Sequence, residues 1–203
     1  MEKTSKDRHE AFPVLVLAAG ASRRMGRAKA LLPLNSGILL DHAIGQARQL
    51  GGAVTVVTGR WYPLVRFRCR RQPSAWIYVR NWHSGLSASL KTGLGRMGPR
   101  AKGVFVILLD QPLIESEALA ALAQAARHSP SQPFAADMHG NPGAPAYLPR
   151  RLWSQVMTLE GDKGAAGILA RNRATRIAMA GADSDVDTPA DWRRIRPQLS
   201  EQP

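Results

Sequence analysis

The chain has 203 residues, 44% of them hydrophobic, which is enough for one globular domain with a sizeable core and short for two. Its single cysteine, Cys69, excludes an intrachain disulfide and a cysteine-based zinc site, and no stretch approaches the roughly 18 consecutive apolar residues of a membrane helix. A net charge of +13 suits a protein that binds anions, but the arginines are spread along the chain (Arg60, Arg127, Arg150, Arg171, Arg193), so most of the excess reads as a solvated basic surface and nucleic acid is not the expected partner.

Met1 to Phe12 is largely polar and charged, without an apolar signal core. It reads as a leader before one domain over residues 13–197, with a short tail at 198–203. A cytoplasmic setting is the default expectation. Val14 to Ala18 is a continuous apolar run, as expected of a strand buried on both faces. Leu40, Ala43, Ile44, Ala47 and Leu50 recur at helical spacing, with Asp41 as the expected N-cap and Gly51-Gly52 as the stop. Ala53 to Val57 and Ala75 to Val79 read as further strands, and Ser87 to Met97 as a helix ended by Gly98-Pro99. Gly103 to Leu109 is the most apolar strand and belongs at the centre of the sheet. Glu117 to Arg127 is helical, with Leu119, Leu122, Ala123 and Ala126 on one face.

Beyond this point the pattern is less regular. Phe134 to Ala136 and Ala146 to Leu148 are expected as strands around an Asn141-Pro142-Gly143 turn, followed by helices at Arg150 to Met157 and Asp162 to Arg171. Thr188-Pro189-Ala190-Asp191 is a capping box with proline at the first helical position, opening a last helix. The β-α-β-α alternation predicts an α/β fold with a largely parallel sheet.

The strongest chemical feature is Leu17-Ala18-Ala19-Gly20-Ala21-Ser22-Arg23-Arg24-Met25-Gly26-Arg27-Ala28-Lys29, followed by Ala30-Leu31-Leu32-Pro33. A buried strand runs into a loop of small residues, which lets backbone N–H groups approach phosphate oxygens. Arg24 grips two oxygens with its planar fork and Lys29 supplies a mobile point charge, so the pair suits a triphosphate. The string is neither a P-loop nor a dinucleotide fingerprint, because no Lys-Ser, Lys-Thr or GxGxxG is present. A generic glycine turn would have no need of both cations at these offsets.

A second site follows the central strand. Asp110-Gln111-Pro112 places a carboxylate at the carboxyl edge of the sheet, where Mg²⁺ is held by one or two protein carboxylates with phosphates and water completing the shell. Taken alone, Asp110 reads equally well as a turn residue before Pro112. Beside the first loop, metal binding is the better account. Among Asp183, Asp185 and Asp187, Asp187 is the expected second ligand and Asp185 its alternative; a solvated acidic loop is the plain reading. Ser87 and Ser89 lie at a helix start and, by spacing alone, read as caps.

These strings resemble those of the MobA-like NTP transferases. The first matches the family's LAAGxSxRMGxxKxLLP signature, Asp110-Gln111-Pro112 its DxP motif, and Asp185-Val186-Asp187-Thr188-Pro189 its DVDTPED segment. The likeness runs from Val14 to Trp192 and is strongest to molybdenum cofactor cytidylyltransferases. It implies a three-layer Rossmann-like nucleotidyltransferase fold with a mostly parallel mixed sheet, in which Leu17 to Ser22, Arg24 and Lys29 bind the nucleotide, Ser87 and Ser89 lie near its base, and Asp110 and Asp187 hold Mg²⁺. Gly140-Asn141-Pro142-Gly143 and Gly161-Asp162-Lys163-Gly164 resemble further family elements, which assigns Gly143, Asp162 and Lys163 to the acceptor. The implied reaction moves CMP from CTP to molybdopterin. Ala19, where related guanylyltransferases carry glycine, is expected to narrow the pocket wall and favour the smaller base. The alternatives are GTP with the same acceptor, a sugar or polyol phosphate acceptor, and a non-catalytic factor that delivers cofactor to a molybdenum hydroxylase apoenzyme.

Two segments depart from the family pattern. Trp82 stands where relatives often have proline. Trp61 to Arg71 interleaves Arg66, Arg68, Arg70 and Arg71 with aromatic residues, a pattern found on nucleic-acid and acidic-protein surfaces, although an amphipathic surface helix is the simpler account.

Overall fold

A computed structural model describes residues 12–200 of the chain. Most of the expected leader and the last three residues of the expected tail lie outside them. Within them, Phe12 is buried in the core and the last helix runs on through Ser200, so the folded part takes in residues that the sequence assigned to leader and tail.

The strands are β1 (Val14–Ala18), β2 (Pro33–Leu34), β3 (Gly37–Ile38), β4 (Val54–Thr58), β5 (Ala75–Tyr78), β6 (Gly103–Leu108), β7 (Phe134–Met138), β8 (Asn141–Pro149) and β9 (Thr175–Ile177). The helices are α1 (Leu39–Leu50), α2 (Leu64–Arg68), α3 (Leu86–Leu94), α4 (Ser116–His128), α5 (Trp153–Met157), α6 (Ala166–Arg171) and α7 (Pro189–Ser200). Seven strands form one sheet in the order β5-β4-β1-β6-β8-β7-β9, and β2 pairs with β3 in a separate hairpin. The strands β5, β4, β1 and β6 are mutually parallel, and β8 enters antiparallel between β6 and β7.

Both faces of the central strands are covered, and the side chains alternate between two cores. Val14, Val16, Phe105 and Ile107 join Leu40, Ile44, Leu119 and Leu122 on one face. Leu15, Leu17, Val104 and Val106 join Leu90, Leu94, Leu152 and Ile168 on the other. This two-residue alternation explains why β1 and β6 read as unbroken apolar runs. Full burial of each such side chain contributes roughly 1.5–3 kcal/mol.

The structure corrects several local expectations. Asp41 is not the N-cap of α1: Ile38 occupies that position, and Asp41, inside the first turn, accepts the Ile38 N–H through Oδ2 at 3.0 Å. Its other oxygen accepts the N–H groups of Arg70 at 2.8 Å and Arg71 at 2.7 Å and the Cys69 thiol at 3.1 Å. The turn between β7 and β8 falls at His139-Gly140, both with positive φ (55° and 85°), and not at Asn141-Pro142-Gly143, which belongs to β8. Paired positive φ values are those of the tight hairpin turn whose twist matches its strands. The helix expected from Asp162 starts only at Ala166, so Lys163 lies in a turn segment and not at a helix start. Thr188 and Asp191 do form the expected box: Asp191 N–H donates to Thr188 Oγ1 at 3.2 Å and Thr188 N–H to Asp191 Oδ2 at 2.8 Å.

Candidate active site

The parallel register sets Leu17 beside Leu108, so the chain leaves β1 and β6 at the same edge of the sheet. Pairing continues one step beyond, where Leu109 N–H donates to Leu17 O at 3.3 Å. The glycine loop and Asp110 are thereby neighbours at the carboxyl edge, where open α/β sheets place their ligands. The segment leading into the last helix supplies the third wall: Val186 N–H donates to Asp110 O at 2.8 Å and brings Asp187 to the same place.

The loop is pinned by its own bonds. Ser22 takes a left-handed conformation (φ 54°), and its carbonyl accepts the N–H groups of Met25 at 3.1 Å and Gly26 at 3.2 Å. Its hydroxyl accepts the Lys29 N–H at 3.1 Å. Trp61 Nε1 donates to Ala21 O at 3.2 Å, and the Arg60 N–H reaches Ala19 O at 3.4 Å. Gly20 is exposed, and a Cβ there would meet no protein atom within 4 Å, so the backbone is open to a close-approaching group.

Lys29 lies at the floor, its side chain 10% exposed. Nζ donates to Asp110 Oδ2 at 2.9 Å and to Asp187 Oδ1 at 2.9 Å. Arg24, largely exposed, pairs with the other Asp187 oxygen at 2.7 Å. Burial works against the Lys29 ammonium, and Asp110 and Asp187 outweigh it, holding its pKa above the ordinary lysine value. Asp185 moves the other way. Its carboxyl is pushed up to about 6, by loss of hydration first and by the charges of Asp110 and Asp187 next, with Lys29 and Gln111 opposing. A cleft of about 210 Å³ is lined by Leu17, Gly20, Ser22, Arg24, Lys29 and Asp110, among others.

The donor set fits a hard divalent cation. Asp110 and Asp187 present carboxylate oxygens close enough to share one ammonium, and two such ligands with phosphate and water satisfy magnesium-type coordination. Among the described residues no group of three His, Cys, Asp or Glu forms a closed metal cage.

The other expected site residues are placed less directly. Ser87 and Ser89 are buried, 2% and 4% exposed, and neither caps α3, whose N-cap is Gly85. Gly85 has φ 97°, and a Cβ there would stand 2.4 Å from the Gly161 backbone carbon and 2.6 Å from Asp162 Oδ1. Ser87 N–H donates to Gly161 O at 3.1 Å. The start of α3 and the Gly161-Asp162 turn thus touch, joining the elements expected to face the base and the acceptor. Asp162 and Lys163 are exposed, while Gly143 lies within β8 opposite Ala136. The Ala19 methyl is 4% exposed and packs in the core with Leu17 and Val57, so it does not line an open pocket wall. Any influence on base choice passes through the path of the loop backbone.

Sequence reasoning missed the partners that hold the loop. Trp61 was read only as part of a basic surface. Gln111 is 2% exposed and donates to Ala182 O at 2.6 Å, tying the Asp110 turn to the loop that carries Asp185 and Asp187. Neither role has a local signal, because each is a contact between distant segments.

The family profile described as MobA-like NTP transferase domain matches residues 14–177. The purine catabolism protein PucB of Bacillus subtilis is 30% identical over 206 residues, covering 91% of this chain and 95% of that one. A probable molybdenum cofactor guanylyltransferase of Mycobacterium tuberculosis is 36% identical over 118 residues, 55% of each chain. Among solved structures, Rv0371c from Mycobacterium tuberculosis H37Rv superposes with a TM-score of 0.80 at 27% identity, covering 92% of this chain and 98% of that one. A manganese complex of Rv0371c superposes at 0.77, with 26% identity and the same two coverages. The chain belongs to the MobA-like NTP transferase family and is a nucleotidyltransferase.

Proposed function

We propose that this protein transfers CMP from CTP to the terminal phosphate of molybdopterin with release of pyrophosphate, using Mg²⁺. The observation that carries this reading is the meeting of Lys29 and Arg24 with Asp110 and Asp187 beneath the open glycine loop. The backbone from Ala18 to Ser22 lies against the phosphates, with Arg24 and Lys29 as their counter-charges. Asp110 and Asp187 hold the metal, which when bound supplies neutralisation of charge on the transferring and leaving phosphates. Ser87 and Ser89 support the base side of the site. Gly143, Asp162 and Lys163 face the acceptor.

The reaction needs positioning and charge more than a protein acid or base. An acceptor phosphate monoester has a second pKa near ~6 and is ionised at neutral pH. Its oxygen attacks the α-phosphorus in line, a new P–O bond forms, the bond from the α-phosphorus to the bridging oxygen breaks, and pyrophosphate departs with that electron pair. Arg24 and Lys29 stabilise the charge that builds on these oxygens. A molybdenum hydroxylase apoenzyme is the natural recipient of the product.

A second reading uses GTP, and the guanylyltransferase relative favours it. Pyrophosphate release measured with each NTP, with and without molybdopterin, separates the two. Release with CTP that depends on molybdopterin is the expected result. Faster release with GTP would replace the base assignment, and release only with a sugar or polyol phosphate would replace the acceptor.

A further inference from the structure

Residues 60–80 contain six arginines and no aspartate or glutamate. The same stretch holds three of the four exposed large hydrophobic side chains among the described residues: Leu64, Phe67 and Tyr78, with Phe67 86% exposed. Leu64 and Phe67 stand one turn apart on α2, and Tyr78 lies on β5, the edge strand of the sheet. The pieces are connected. The rings of Tyr62 and Tyr78 are 5.5 Å apart, and Arg66 donates to the Tyr62 hydroxyl at 3.0 Å. An apolar surface rimmed by charge is the usual mark of a protein interface, and arginine with aromatic side chains dominates the binding energy of such surfaces.

The charge decides the kind of partner. A second copy of this chain would bring its own +13 to the contact, so self-association is disfavoured. A single strand of nucleic acid would need several open aromatic faces in a row, and in this stretch Phe67, 86% exposed, offers one. Here Tyr62 and Tyr78 face each other, and Trp76 is half-buried with its Nε1 bound to Gln72 at 3.1 Å. Leu64 offers a base neither a π-face nor a donor. We infer that α2 and the adjoining edge of β5 dock an acidic, partly apolar face of another protein. That face also sits beside the catalytic loop. Trp61, three residues before α2, donates to Ala21 O, and Arg60 stacks 5.4 Å from the Trp61 ring and 5.9 Å from the Trp82 ring. A protein seated on α2 is one short step from the mouth of the nucleotide cleft.

The test uses three labelled probes titrated against the full chain. One is a glutamate-rich helical peptide with leucine and tryptophan on one face, the second is its charge-matched version with serine at the apolar positions, and the third is oligouridylate. The first is expected to bind at least about tenfold tighter than the second. Phe67→Ser and, separately, Leu64→Ser erase that difference, while the Arg66→Glu, Arg68→Glu pair removes binding of both peptides. All these variants keep wild-type pyrophosphate release, which certifies their fold. Equal binding of the two peptides, or indifference to both apolar truncations, would overturn the inference in favour of a bare cationic surface. Tightest binding by oligouridylate would assign the face to nucleic acid.

Discussion

Asp41 and Asp185 are both carboxylates set among protein atoms, and their surroundings drive them in opposite directions. Burial works to raise the pKa of Asp41, but the N–H groups of Arg71 and Ile38, the Cys69 thiol and the Arg70 N–H hold it below the ordinary value. Those bonds fasten α1 to the chain beyond α2. Asp185 shares its region with Asp110 and Asp187, and loss of hydration first and their charges next lift it to about 6. The first region is saturated with donors from its own chain and is committed to structure. The second keeps more negative charge together than its two cations comfortably balance, and that is the arrangement expected where a ligand is to bring positive charge.

If this contrast holds, removing a carboxylate should cost activity in one region and stability in the other. Asp110→Ala, and likewise Lys29→Ala, should lower kcat by about a hundredfold or more while the melting temperature stays near that of the wild type. Pyrophosphate release and thermal melts measure both, and near-normal turnover at ordinary Mg²⁺ would end the contrast at its functional side. Asp41→Ala should do the reverse. Leaving several buried donors without an acceptor costs about 3 kcal/mol of stability in denaturant titrations, with kcat of the folded fraction within about twofold. Lys163, an exposed cation just after the Gly161-Asp162 turn, tests the proposed acceptor side. Its replacement by alanine should raise the acceptor KM about fivefold, on the order of 1 kcal/mol, with the nucleotide KM unchanged.

The finest test is the pH dependence of stability. Asp185 holds its proton more tightly folded, at about 6, than at its ordinary 3.8. Between those values the native state carries the extra proton, so this contribution to stability falls as pH rises. For Asp41 the folded value is depressed, so its contribution is present above 3.8 and is lost as pH falls through the lower folded value. Melts from acid to neutral pH should show Asp185→Asn removing the decline on the way up and Asp41→Asn removing the loss on the way down. Identical slopes in both variants would show that neither environment differs from water.

The sequence made the parallel half of the sheet legible, because strands covered on both faces must be apolar throughout; β1 and β6 carry that mark. The capping box at Thr188 was equally plain, since its four residues hold the whole mechanism. β9 was missed: only three residues long, with exposed Thr175 and Arg176, it has no periodicity to read. The hairpin was misplaced because Asn141-Pro142-Gly143 has turn composition, yet pairing with β7 carries the strand through it. Of the site, the loop, both cations and the carboxylates were readable as types. The sharing of Lys29 between residues 81 and 158 positions away was not, because only the fold brings them together.

That shared ammonium has a consequence for how the site fills. On the proposed reading, a divalent ion seeking the oxygens of Asp110 and Asp187 dislodges the ammonium they share, and a triphosphate is the guest able to receive it. On the same reading, ion and nucleotide therefore favour each other's entry by the same factor, and magnesium alone gains little at this site.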